Sequence, residues 1–187
     1  TVFQMGPTKS PGPDGIPGIF FQKCWQFIKK DVSHAVKHML NTGLVLREFN
    51  KTFITLIPKK TNPEKVTEFR PISLCNVIMR IATKCIANRL KKIMHSIVKP
   101  SQKAFIPGRH ISDNILIAHE VIHNMTHHKG RKTGRITVKI DMQKAYDRIN
   151  WNFLRQVLII TGFSDKWVTL IMSCVTSISY QVLLNGV

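Results

Sequence analysis

Ile136-Thr137-Val138-Lys139-Ile140-Asp141-Met142-Gln143-Lys144-Ala145-Tyr146-Asp147 is the stretch on which the fold turns. In the helical stretches before it apolar residues recur every three or four positions. Here they recur every second one, with Ile136, Val138 and Ile140 on one face and Thr137, Lys139 and Asp141 on the other. That change of period predicts a half-buried strand ending in a carboxylate on its polar face. A fold of long helices with a few strands, α+β, is the expectation.

Upstream, Ser112 or Asp113 is placed to cap a helix running to about Met125, and His127 to Arg135 is basic, glycine-bearing and loop-like. A longer helix is predicted over about 76–97 from Ile78, Ile81, Ala82, Cys85, Leu90, Ile93 and Ile97, halted before Pro100. Before it, Phe53-Ile54-Thr55-Leu56-Ile57 and Phe69-Arg70-Pro71-Ile72-Ser73-Leu74 are β-prone and are expected to pair as a hairpin bearing basic residues. Phe20, Cys24, Phe27, Ile28, Val32, Val36 and Met39 predict one amphipathic helix over about 18–41, stopped at Gly43. Lys9-Ser10-Pro11-Gly12-Pro13-Asp14-Gly15 in front of it is a dense turn signal. Downstream, Trp151, Leu154 and Leu158 predict a helix opened by Asn150 and stopped at Gly162, and Ser164 opens another through Trp167, Ile171 and Val175. Ile178, Tyr180, Val182 and Leu184 alternate into Asn185-Gly186, a hairpin dipeptide. The first residue is Thr and the chain ends one residue past that turn, so it reads as cut at both ends.

With 187 residues and 43% hydrophobic content, the chain is long enough for a sizeable core. Its 28 Lys and Arg against 10 Asp and Glu give a formal charge of +18, which favours a polyanionic partner through counterion release. Nucleic acid is the first candidate. No run of about 18 apolar residues is present, so a membrane span is not expected. Cys24, Cys75, Cys85 and Cys174 form no C-x-x-C pair, which argues against both a disulfide framework and a cysteine zinc site.

On pattern alone Asp141 has two readings, a metal-binding carboxylate at a strand end or an aspartate capping the next turn. Asp147 reads as a cap and Tyr146 as a half-buried aromatic. His119-Glu120-Val121-Ile122-His123 satisfies H-E-x-x-H on a predicted helix, the zinc peptidase signature. Its third ligand is poorly supported, because Thr126 stands where the extended motif has Gly and no Glu follows Glu120, which leaves an aspartate or His127, on the same helical face, as the alternatives.

Seven ordered blocks resemble the reverse transcriptase of plant LINE-type (non-LTR) retrotransposons. They are the 9–15 turn, Leu56-Ile57-Pro58-Lys59, Phe69 through Asn76, Ala87-Asn88-Arg89-Leu90, Gln102 through Arg109, Asp113-Asn114-Ile115-Leu116, and Asp141 through Trp151. The resemblance covers essentially the whole chain and implies the fingers (about 1–110, with an N-terminal extension) and partial palm (about 111–187) of a right-hand RNA-directed DNA polymerase. In that family Asp141 matches the first catalytic aspartate, which coordinates two Mg2+ ions, with the Met142 carbonyl as an added ligand. Tyr146 matches the aromatic gate against the ribose 2′-hydroxyl. Arg70 and Lys59 match fingers residues on the triphosphate. Arg109 belongs to a block near the template, with a structural salt bridge as the alternative. Lys9 lies in the extension that grips the template, for which a plain turn and helix cap is the alternative. RNA template, DNA primer and deoxynucleoside triphosphates are the implied partners. An intracellular, nuclear setting and an upstream endonuclease are implied in the same way. The family's second aspartate hairpin is not in the sequence, so this polypeptide alone is expected to lack polymerase activity. A non-catalytic basic nucleic-acid-binding module is the alternative.

Overall fold

The computed structural model describes residues 1–127, 136–142 and 145–183. It is α+β, as the sequence predicts. Two compact units divide the chain: 1–87 with 151–187, and 88–150.

In the first unit the helix predicted over 18–41 is broken at Cys24, giving α1 (Gly18–Lys23) and α2 (Trp25–Thr42). The break lies at one residue, whose φ of −88° and ψ of 8° leave the helical well. Phe21 before the break and Val32, Val36 and Met39 after it join one core with Val77, Ile78, Ile81 and Ala82 of α3 (Val77–Leu90). Gly43 ends α2 with a left-handed φ of 73°, which a glycine adopts without strain, and its N–H bonds the Met39 carbonyl.

Strands β1 (Lys51–Pro58) and β2 (Phe69–Cys75) form the predicted antiparallel hairpin, with Ile57 opposite Arg70 and Thr52 opposite Cys75. A third strand, β3 (Ser179–Leu183), lies parallel to β1 on its other edge, giving the order β2-β1-β3. Buried Asn50 seats it. Its Nδ2 donates to the Cys174 carbonyl (3.0 Å) and to Ser177 Oγ (2.8 Å), and its own carbonyl accepts the Ser179 N–H (3.3 Å). Asn185-Gly186 lies outside the described residues. Helices α6 (Trp151–Ile160) and α7 (Asp165–Thr176) form a hairpin around Leu158, Val168 and Met172. α7 follows Ser164 as predicted, but the Ser164 hydroxyl makes no capping bond.

In the second unit the helix predicted to reach 97 stops at Leu90, and a separate turn, α4 (Met94–Ile97), follows. The last buried side chain of α3 is Ile86, so apolar burial no longer holds the helix beyond it. α5 (Ile111–His127) forms where expected but buries no side chain; Ile115, Leu116, Ile117 and Ile122 are all exposed.

The strand predicted over 136–141 is not formed. Residues 136–142 are irregular, and Ile136, Val138 and Ile140 are exposed, Ile140 at 85%. Alternation gives a chain two chemically different faces, but a strand also needs a neighbour for its N–H and C=O groups. Among the described residues no strand pairs with this segment. It lies instead along α5, where Thr137 Oγ1 donates to Met125 Sδ (2.8 Å).

Candidate nucleotide and nucleic-acid site

The basic hairpin gives the clearest geometry. The Lys59 N–H continues the ladder to the Glu68 carbonyl (2.8 Å), so the register sets Lys59 opposite Glu68 and Arg70 opposite Ile57. Positions 57, 59, 68 and 70 therefore share one face of the pleated ribbon, which makes Lys59 and Arg70 diagonal neighbours on it. The Lys59 ammonium is steadied by the Thr67 carbonyl (2.7 Å). Arg70 is exposed, and among the described residues its guanidinium has no hydrogen-bond or carboxylate partner. Glu68 stiffens the turn. It accepts from the backbone N–H groups of Glu64 (2.8 Å) and Lys65 (3.2 Å) and pairs with Lys60 (2.7 Å). The Lys60 ammonium first, and those two N–H groups next, hold its carboxyl below the ordinary glutamate range.

The N-terminal turn block docks on the junction of β2 and α3. Asn76, 3% exposed, accepts the Asp14 N–H on Oδ1 (3.1 Å) and donates through Nδ2 to the carbonyls of Glu48 (3.3 Å) and Phe49 (3.2 Å). Gly12 lies so close that a Cβ there would overlap the Asn76 backbone nitrogen and Oδ1. The block is thus a clasp built on backbone contacts. Lys9 is exposed within it, with its side chain lying against Gly6.

Arg109 is spent on structure. Its guanidinium donates to the carbonyls of Lys99 (2.7 Å), Gln102 (2.7 Å) and Val98 (3.1 Å), which fixes the loop after α4. The salt bridge in this block belongs to another pair, Lys103 with Asp113 (3.0 Å).

Asp141 and Met142 are both exposed, and the Asp141 carboxylate has no partner among the described residues. Tyr146 and Asp147 fall in a 3-10 turn, Ala145–Arg148, and their side chains lie outside the described residues. Lys59 and Arg70 belong to the first unit and Asp141 to the second. Among the described residues no three His, Cys, Asp or Glu side chains converge to hold a metal ion. In the His119-Glu120-x-x-His123 segment, His123 stacks on His127 (centroids 4.0 Å apart), and the His127 ring nitrogen Nδ1 contacts the His123 carbonyl at 3.0 Å. No helix among the described residues is long and apolar enough to cross a membrane.

A basic hairpin with an unpartnered guanidinium, in a chain of formal charge +18, favours phosphate-bearing partners. Residues 57–186 match the family described as reverse transcriptase (RNA-dependent DNA polymerase), and the chain belongs to that family. The matched span holds Lys59, Arg70, Arg109, Asp141, Met142 and Tyr146; Lys9 precedes it.

Its curated relatives come from mobile elements. The chain is 28% identical over 183 residues to the transposon TX1 uncharacterized 149 kDa protein of Xenopus laevis, covering 97% of this chain and 14% of that protein. It is 27% identical over 162 residues to the Pol polyprotein of the type-2 retrotransposable element R2DM of Drosophila melanogaster, covering 84% of this chain and 15% of that protein. A third relative is the Pol polyprotein of the type-1 retrotransposable element R2 of Nasonia vitripennis, 24% identical over 144 residues, covering 74% of this chain and 13% of that protein. The chain therefore spans only about one seventh of the length of these relatives.

Proposed function

We propose that this chain is the fingers and first palm segment of an RNA-directed DNA polymerase from a non-LTR retrotransposon of plant type, acting on an RNA template, a DNA primer and deoxynucleoside triphosphates inside the nucleus. The observation that carries the reading is the family match across 57–186, which takes in the turn and second strand of the basic hairpin, the 102–109 loop and Asp141. Arg70 is the triphosphate ligand. Its free, planar fork fits two phosphate oxygens at once, and Lys59 adds a point charge on the same face. Tyr146 is assigned to the sugar side of the nucleotide and Lys9 to the template.

Asp141 and the Met142 carbonyl offer hard oxygen donors of the kind Mg2+ takes. One carboxylate does not position two ions, so the described residues do not fit a complete two-metal centre.

Primer extension with Mg2+, an RNA template and a DNA primer tests the proposal. In the longest open reading frame that contains this chain, Asp141→Asn should abolish synthesis. Arg70→Ala should raise the KM for deoxynucleotides roughly 10- to 100-fold, the loss of a charged hydrogen-bonding group worth about 1.5–3 kcal/mol. The 187-residue polypeptide alone should extend nothing. Processive synthesis by Asp141→Asn would refute the assignment.

A second reading rests on the charge of +18: the isolated chain acts as a basic, non-catalytic nucleic-acid-binding module. Its affinity should then fall steeply with salt and vary little with sequence.

A further inference from the structure

We propose that Phe105 is a stacking platform for an unpaired base of single-stranded nucleic acid, presented by a loop that Arg109 locks in shape. The proposal rests on the nucleic-acid reading above and adds a specific contact to it.

Phe105 is 84% exposed, whereas the next residue, Ile106, is 5% exposed. Between them the chain must turn one side chain out and the other in. It does so with a left-handed φ of 65° at Phe105, one of two non-glycine residues with positive φ among those described. Glycine or asparagine takes that conformation readily, and a bulky aromatic does so only under strain. A lone exposed phenylalanine on relaxed backbone would carry no argument. This one is held in place against two costs, the exposed ring and the strained φ, and strain of this kind persists only where the surroundings over-determine it.

The surroundings do so on both sides. Ile106 anchors the loop inward, and the Arg109 guanidinium grips the carbonyls of residues 98, 99 and 102 at 3.1, 2.7 and 2.7 Å. The ring therefore stands on a preorganised support, so little further ordering is lost when a ligand settles on it.

Its neighbourhood selects the ligand. Between 88 and 112 the chain carries Arg89, Lys91, Lys92, Lys99, Lys103 and Arg109 and no Asp or Glu. One exposed ring on a segment with six cations, of which Lys103 pairs with Asp113, suits a base with its phosphate better than the extended apolar surface of a protein partner. Bases in a duplex have their faces covered by their neighbours, so an unpaired, splayed base is the occupant that offers a free face.

The experiment is anisotropy titration of the 187-residue chain with an unstructured 20-nucleotide RNA, the same sequence as DNA, and an RNA–DNA duplex. Three proteins are compared: wild type, Phe105→Gly and Phe105→Trp. Phe105→Gly deletes the ring and relieves the positive φ, so its thermal midpoint should stay level or rise. Its affinity for the single strands should nevertheless drop roughly 5- to 100-fold, the range for one base–aromatic stack, with an unchanged salt slope. Phe105→Trp should bind like wild type, with the added indole emission quenched by the strand. Loss on RNA alone or on both single strands supports the platform. Equal loss on the duplex, or no loss at all, overturns it. If wild type shows no salt-sensitive binding to any of the three, the nucleic-acid reading itself fails.

Discussion

Asn76→Ala should be among the most damaging polar substitutions in the chain. The side chain closes three hydrogen bonds to backbone groups that are far apart in sequence: the Asp14 N–H and the carbonyls of Glu48 and Phe49. At about 1 kcal/mol for each bond, the direct loss is about 3 kcal/mol, and any of the three groups left out of reach of water adds its own desolvation cost. A total of about 3–4 kcal/mol is expected, a large share of the 5–15 kcal/mol typical of a domain. Asn76→Asp is a sharper probe. It keeps an acceptor for Asp14 but turns an oxygen toward two carbonyls, which favours the protonated acid in the folded state. Its folded pKa is then raised, so its penalty is smallest at low pH and grows as pH rises past the unfolded aspartate value. Gly12→Ala pushes against the same residue, and its cost should combine with that of Asn76→Ala to less than the sum, since both release the Asp14 bond. Urea unfolding followed by circular dichroism gives these numbers. A loss below about 1 kcal/mol for Asn76→Ala, at unchanged m-value, would refute the clasp argument.

Two further predictions concern the loops. The lowered pKa of Glu68 means that its ties to Lys60, Glu64 and Lys65 are complete above the ordinary glutamate value and are lost as pH falls through its lower folded value. The Glu64 and Lys65 amide resonances should titrate together with a midpoint below that of an unpaired glutamate, and Glu68→Gln should remove the titration; a midpoint at or above the ordinary value contradicts the geometry. Arg109→Lys keeps the charge but cannot span three carbonyls, so amide exchange across 98–110 should quicken about 10-fold, equivalent to about 1.4 kcal/mol, while α7 is unaffected. Unchanged exchange in that loop would mean that the fork is dispensable.

What the sequence made legible was local. Helical periodicity located α2, α5, α6 and α7, and β-prone runs located the β1/β2 hairpin, because each pattern encodes a face to be buried within a few residues. Features set at long range stayed hidden. The parallel seat of β3 depends on Asn50 reaching residues 124 and 127 positions away, and no local pattern announces that. Asn76 falls inside a family-like block, yet its polar side chain gives no hint that three backbone segments meet on it. The 136–141 alternation failed in the opposite way, since two faces were encoded and no strand among the described residues pairs with them.

Arg70 and Arg109 show why residue type alone does not assign a phosphate ligand. Both lie in blocks that resemble the same family, both carry a permanent charge, and the sequence offered Arg70 to a nucleoside triphosphate and Arg109 to the template. The backbone around them separates their roles. Arg70 sits in an extended edge strand, where no turn brings backbone carbonyls together on its guanidinium, and it is left facing solvent. Arg109 follows a loop containing Pro100 and Pro107, where no helix or strand ladder forms and three backbone carbonyls converge on the guanidinium. An arginine on which the carbonyls of one loop converge becomes a structural donor, and one on an extended strand that meets no such convergence stays available to a ligand. On that ground Arg70→Ala should affect nucleotide affinity with little loss of fold, whereas Arg109→Ala should loosen the 98–110 loop first and lower nucleic-acid binding only through it.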